Sequence, residues 1–168
     1  MMPLDLPHST SLRLCDADAT AALARWLASR LIAGDCLLLQ GPVGAGKTHF
    51  ARALIQHLLA VDGQVEEVPS PTFTLVQTYQ AGPLEIWHCD LYRLNHPHDA
   101  MELGLDEAME TALCLIEWPD RLGPLIPKSA LTLDLSPQPD DSRLLTARAT
   151  APRWQPVLAE LALWCHDG

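Results

Sequence analysis

The sequence predicts an α/β fold of the P-loop NTPase-like type: a single mixed sheet, largely parallel with antiparallel hairpins, flanked by helices. Three observations carry that reading. Gly41-Pro42-Val43-Gly44-Ala45-Gly46-Lys47-Thr48 satisfies the phosphate-loop spacing G-x-x-x-x-G-K-[ST]. The apolar run at 35–40 precedes it as a buried parallel strand would, and a helix-patterned segment, 48–60, follows. Residues 113–117 form a second, nearly continuous apolar run of the kind that fills the middle of a sheet covered on both faces.

Residues 1–11 have neither a positive leader nor a long apolar stretch and read as a flexible N-terminal lead-in, leaving 12–168 as one domain. Asp16 can cap a helix running to about residue 33, with Leu23, Trp26, Leu27 and Leu31 on one face and Gly34 as its stop. The helix after the phosphate loop buries Phe50, Leu54 and Leu58, and a polar loop spans 64–69. Two β-like runs, 73–80 and 84–90, flank Ala81-Gly82-Pro83 and predict an antiparallel hairpin. Short helices are expected at 98–103 and 106–110. Beyond the 113–117 strand, Leu131, Leu133 and Leu135 alternate with Thr132, Asp134 and Ser136, which is the pattern of a half-exposed strand. A turn at 137–141, a partner strand at 143–149 and an amphipathic helix opened by Pro152 complete the chain.

With 168 residues and 48% hydrophobic content, the chain can bury one substantial core. Its net charge of −10 opposes direct attachment to nucleic acid or to an anionic membrane, so any nucleic acid it serves is expected on a partner. Cys15, Cys36, Cys89, Cys114 and Cys165 include no C-x-x-C pair, which points to a reducing, cytoplasmic setting rather than a disulfide framework. No apolar stretch is long enough for a membrane span.

The loop's chemistry follows from its residue types. Glycines let main-chain amides curve around an anion, Lys47 reaches the β- and γ-phosphates, and the Thr48 hydroxyl can sit on Mg²⁺. A magnesium ion keeps most of its waters and takes few protein ligands, commonly an acid at a strand end. Asp90 and Glu117 both stand at such ends; separately, Lys47 is one of only two lysines in the chain, the other being Lys128. Ser70, Thr72 and Thr74 put hydroxyls on a segment where a switch sensing the γ-phosphate could lie, though a plain turn accounts for them equally. His88 reads as a packed strand histidine, and Trp118 as core, a nucleotide neighbour or a partner surface.

Gly41 to Thr48, Ser70-Pro71-Thr72-Phe73-Thr74-Leu75-Val76, His88-Cys89-Asp90-Leu91-Tyr92-Arg93-Leu94, Glu102-x-Gly104 and Leu115-Ile116-Glu117-Trp118-Pro119, in that order, resemble the TsaE (YjeE) family over about 12–150. The resemblance implies a P-loop ATPase of tRNA N6-threonylcarbamoyladenosine (t6A) biosynthesis. Its partners would be TsaB and TsaD, with tRNA reached only indirectly through that complex. It implies Mg²⁺ as cofactor and ATP as substrate, with metal ligands at Thr48 and Glu117 and a Walker B-like acid at Asp90. Lys47, Asp90 and Glu117 become the catalytic set. The expected nucleotide contacts are Gly41, Val43, Gly44, Ala45, Gly46, Lys47 and Thr48, with adenosine contacts around Ala17 and Ser142. Pro42, His49 and Cys89 depart from the family's common Asp, Thr and Phe without removing a phosphate or metal group.

Arg93 and Arg121 are the candidate charge donors, and without an evident arginine finger slow hydrolysis by the isolated protein is expected. A small-molecule or nucleoside kinase is the alternative enzyme, although 119–139 holds only Arg121 and Lys128 for a basic lid. A nucleotide-gated binding module with incidental hydrolysis is the third reading. No Asn-Lys-x-Asp sequence favours guanine.

Overall fold

The structure, a computed structural model, describes residues 8–166. One seven-stranded sheet runs in the order β1-β7-β6-β2-β5-β4-β3. Its strands are β1 (His8–Leu14), β2 (Cys36–Gln40), β3 (Val76–Ala81), β4 (Leu84–Asp90), β5 (Leu113–Glu117), β6 (Leu131–Pro137) and β7 (Arg143–Ala149). The helices are α1 (Ala17–Ala28), α2 (Lys47–Val61), α3 (Pro97–Glu102), α4 (Leu105–Thr111) and α5 (Gln155–Leu161). Two short 3₁₀ segments, Pro119–Leu125 and Pro152–Trp154, complete the regular structure.

The sheet is mixed, as the sequence predicts, but its parallel share is smaller than expected. β2 runs parallel to β5 and β6, and β4 parallel to β5. The β3–β4 and β6–β7 hairpins and the β1–β7 pair are antiparallel. Parallel pairing is thus confined to the centre, where crossover connections cover both faces, while hairpins extend the edges.

Residues 8–11 correct the expected lead-in. They open β1, which pairs with β7 from His8 opposite Ala149 to Leu14 opposite Arg143. The rest of that lead-in, residues 1–7, lies outside the described residues. β3 starts at Val76 rather than 73, because 72–74 turn and Leu75 takes a positive φ of 66°. α1 is capped by the Asp16 side chain, which accepts from the Ala19 N–H. It stops at Ala28, short of residue 33, as Arg30 and Leu31 turn back to the Leu27 and Ala28 carbonyls.

The larger core fills one face of the sheet, where Leu23 and Leu27 of α1, Phe50, Leu54 and Ile55 of α2, and Val157 and Leu158 of α5 meet Leu37, Leu39, Leu133 and Leu145. Each fully buried leucine or phenylalanine contributes about 2 kcal/mol of transfer free energy. A smaller cluster on the other face packs Ala100, Leu105 and Ala108 against Cys36, Leu38, Cys114 and Ile116. β5 is therefore buried at all five positions, whereas β6 alternates. The result for function is a common edge: β2, β5 and β4 end together, with Leu39 in register with Glu117 and Glu117 with Asp90. In open α/β sheets, ligand-binding crevices form outside such carboxyl ends.

Candidate functional site

β2 ends at Gln40 and passes directly into the loop. Gly41 has φ 144°, and a Cβ there would lie 2.5 Å from the Leu135 carbonyl oxygen and 2.9 Å from the Ala45 Cβ, so only glycine fits against β6. The Ala45 N–H donates to the Pro42 carbonyl at 3.1 Å and closes the turn. Gly46, left-handed at φ 105°, is the N-cap of α2 and offers no side-chain cap. The first amides of this 15-residue helix are consequently left for an anion, on the helix's positive end.

Lys47 is the first residue of that helix and is only 5% exposed. Its ammonium donates to the Gly41 carbonyl at 2.5 Å and lies 3.4 Å from the centroid of the Trp118 ring. Burial lowers the Lys47 pKa from its ordinary value, while the negative charges of Glu117, Asp90 and Asp120 act the other way. Trp118 reaches this position by leaving β5 in a left-handed conformation, φ 57° and ψ 52°, that a bulky residue rarely adopts.

Beside the loop stands a wall of side chains. Glu117 is 2% exposed and accepts from the Thr48 hydroxyl at 2.8 Å and 3.1 Å through its two oxygens. His88 Nε2 donates to the second of these oxygens at 2.7 Å. The other His88 nitrogen, Nδ1, is buried and has no partner among the described residues. A buried lone pair costs less to leave alone than a buried N–H, so the arrangement is best satisfied with the proton on Nε2, donated to Glu117. Asp90, in register with Glu117, accepts from the Thr72 hydroxyl at 3.1 Å and from the Tyr92 N–H at 3.0 Å.

Thr48, Glu117 and Asp90 supply a hydroxyl and two carboxylates. Such an all-oxygen set suits a hard cation like Mg²⁺. Among the described residues no group of three or more His, Cys, Asp and Glu side chains could hold a metal by itself.

A cavity of about 420 Å³ joins the two parts, lined by the loop from Val43 to His49 with Thr72, Asp90, Tyr92, Glu117 and Trp118. Val43, Gly44, Ala45, Gly46, Lys47, Thr48, Asp90, Glu117 and Thr72, all singled out in the sequence, thus line one cavity. Gly41 stands behind the lining and holds Lys47. Ser70 reaches the site only through Thr72, its hydroxyl 2.7 Å away, and Thr74 instead accepts from the Gln77 amide. Ala17 lies outside the cavity, with its carbonyl accepting from His49 Nε2 at 2.9 Å. Ser142 is 2% exposed and spends its hydroxyl on Asp140, beside a separate groove shared with Arg13, Gln138 and Leu144.

His88 is packed, as expected, and it also contacts Glu117. Two residues before Asp90 on a strand, it must share that residue's face, although this does not foretell the meeting with Glu117. The Tyr92 ring, 4.9 Å from that of Trp118, left no comparable trace.

Comparison with known proteins identifies the family. The family model described as "Threonylcarbamoyl adenosine biosynthesis protein TsaE" matches residues 14–145. The "tRNA threonylcarbamoyladenosine biosynthesis protein TsaE" of Rickettsia bellii (strain RML369-C) is 39% identical over 127 residues, covering 76% of this chain and 86% of the relative. That of Bacillus subtilis (strain 168) is 33% identical over 156 residues, 92% and 94% of the two chains. The crystal structure of Bacillus subtilis YdiB superimposes with a TM-score of 0.78 at 30% identity over 94% of this chain and 97% of that one. By motif order, fold and sequence, the chain belongs to the TsaE family, whose members are named for tRNA threonylcarbamoyladenosine biosynthesis.

Proposed function

We propose that this protein is a magnesium-dependent ATPase that supports tRNA N6-threonylcarbamoyladenosine formation with TsaB and TsaD in the cytoplasm. The observation that carries the reading is the direct contact of Thr48 with Glu117 at the foot of the phosphate loop, with Asp90 on the next strand. The main-chain amides at the start of α2 and the Lys47 ammonium hold the β- and γ-phosphates. Thr48, Glu117 and Asp90 are the residues that would hold Mg²⁺, which when bound neutralises charge on the phosphates. Glu117 and Asp90 also orient the attacking water, and Thr72, bonded to Asp90, is the hydroxyl best sited to sense the γ-phosphate.

Arg93 and Arg121 stack on Phe73 and Tyr92, at 4.6 Å and 5.6 Å from the ring centroids, and neither lines the cavity. Turnover by the isolated chain is therefore slow, and a partner completes the charge stabilisation. The net charge of −10 supports leaving tRNA to those partners.

Calorimetry with Mg²⁺ and ATP, followed by phosphate-release assays with and without TsaB and TsaD, tests the proposal. Binding and partner-accelerated release are expected. Transfer of labelled phosphate to a nucleoside would replace the ATPase reading with the kinase one, and no association with either protein in any nucleotide state would remove the partners.

A further inference from the structure

Arg143, the first residue of β7, lies outside every motif named above, yet its guanidinium is bonded entirely to main chain. Nε donates to the Ala45 carbonyl at 3.0 Å and Nη2 to the Gly44 carbonyl at 3.1 Å. Nη1 donates to the carbonyls of Asp141 at 2.8 Å and Ser142 at 3.3 Å. Among the described residues no carboxylate pairs with it, in contrast to Arg13, Arg30, Arg148 and Arg153.

Two of those carbonyls belong to the phosphate loop, 99 and 98 residues earlier in the chain. In a trans peptide the C=O and the following N–H point to opposite sides of the chain, and the described chain has no cis peptide. An arginine fork that holds the Gly44 and Ala45 oxygens therefore turns the Ala45 and Gly46 amides away from itself. The first of these is taken by Pro42, closing the loop. The second belongs to the glycine that caps α2 and lines the cavity. Glycine-rich backbone has little stiffness of its own, and both Gly44 and Gly46 have positive φ, so an external brace has a real conformational freedom to remove.

We propose that Arg143 is a positioning residue for the phosphate cradle: it fixes the peptide planes that aim loop amides at the polyphosphate tail of a nucleotide, and ties the cradle to the 138–142 turn. This rests on the nucleotide reading above. The planar fork is essential, since lysine can carry the charge but cannot grip two successive carbonyls and the turn together.

The test compares the parent chain with Arg143→Lys and Arg143→Ala in two measurements. Without nucleotide, hydrogen exchange should speed up at the Ala45 amide, which closes the loop on Pro42, in both variants, while the centres of β2 and β5 keep parental protection. Calorimetry with Mg²⁺ and ATP should show affinity reduced about tenfold in Arg143→Ala, with Arg143→Lys recovering less than half of the loss in binding free energy. Parental loop exchange in both variants would overturn the inference, as would ATP affinity within twofold of a binding parent. Exchange that rises throughout the sheet would assign Arg143 to general stability and overturn it equally. If the parent itself gives no heat with ATP, the nucleotide reading fails, while the exchange comparison still decides whether Arg143 braces the loop.

Discussion

The two walls of the cavity are built by opposite means. The loop wall offers main-chain groups and one ammonium, and its shape comes from glycines, the Pro42–Ala45 turn and the Arg143 brace. The strand wall offers side chains, Glu117 and Asp90, each almost fully buried and held by neighbours on other elements. A main-chain wall binds whatever carries the right charge and curvature. A side-chain wall fixes single oxygen atoms, which is what positioning a metal or water demands. Damage to the first should therefore appear in affinity, and damage to the second in turnover and in folding.

Substitutions can break that division or sharpen it. Lys47→Ala should have the largest effect, weakening ATP binding by about 3 kcal/mol, on the order of a hundredfold, as measured by calorimetry. Glu117→Gln keeps the shape of the strand wall and should slow phosphate release on the order of a hundredfold with ATP affinity much less changed. Equal losses of affinity and turnover in this variant would erase the distinction between the walls.

His88→Phe removes the donor to a buried carboxylate oxygen and should cost about 1–3 kcal/mol of stability in chemical denaturation. His88→Gln, which retains an N–H near the same place, should recover part of it. An unchanged stability in His88→Phe would mean that Glu117 needs no such support.

The smallest effect belongs outside both walls, at Asp140. Hydrogen bonds from the Ser142 hydroxyl and main chain, and the nearby Arg13 guanidinium, hold its carboxyl below the usual aspartate value. A folded pKa depressed in this way stabilises the protein above the unfolded aspartate range, and the contribution is lost as pH falls through the lowered value. Asp140→Asn should accordingly lower the thermal midpoint slightly at neutral pH. The gap from the parent should close in acid, which thermal unfolding at both ends of that range would detect.

The loop wall was almost wholly legible in the sequence, because glycine, lysine and threonine at fixed spacing leave little else to be. The strand wall was half legible: Asp90 and Glu117 were marked by their places after apolar runs, but their neighbours depend on register. Nothing local says that His88 meets Glu117 or that Arg143 reaches Gly44, since those meetings are made by strands far apart in the chain. Similarly, 8–11 looked like a loose lead-in because β1 is a polar, half-exposed strand whose only described strand neighbour is β7. Ser142 came from the resemblance alone, and the sequence does not reveal that its hydroxyl donates to Asp140.

The strand order also governs when the molecule can come into being. β2, which delivers the phosphate loop, is flanked by β5 and β6, and the Gly41 backbone rests against Leu135. As the chain is synthesised, β2 emerges with neither neighbour available, and β1 must wait for the last hairpin before it can pair. Such long-range closures slow folding. A nascent chain on the ribosome thus holds its nucleotide motif long before it holds a nucleotide cradle, and ATP cannot act as a template for the first half of the molecule.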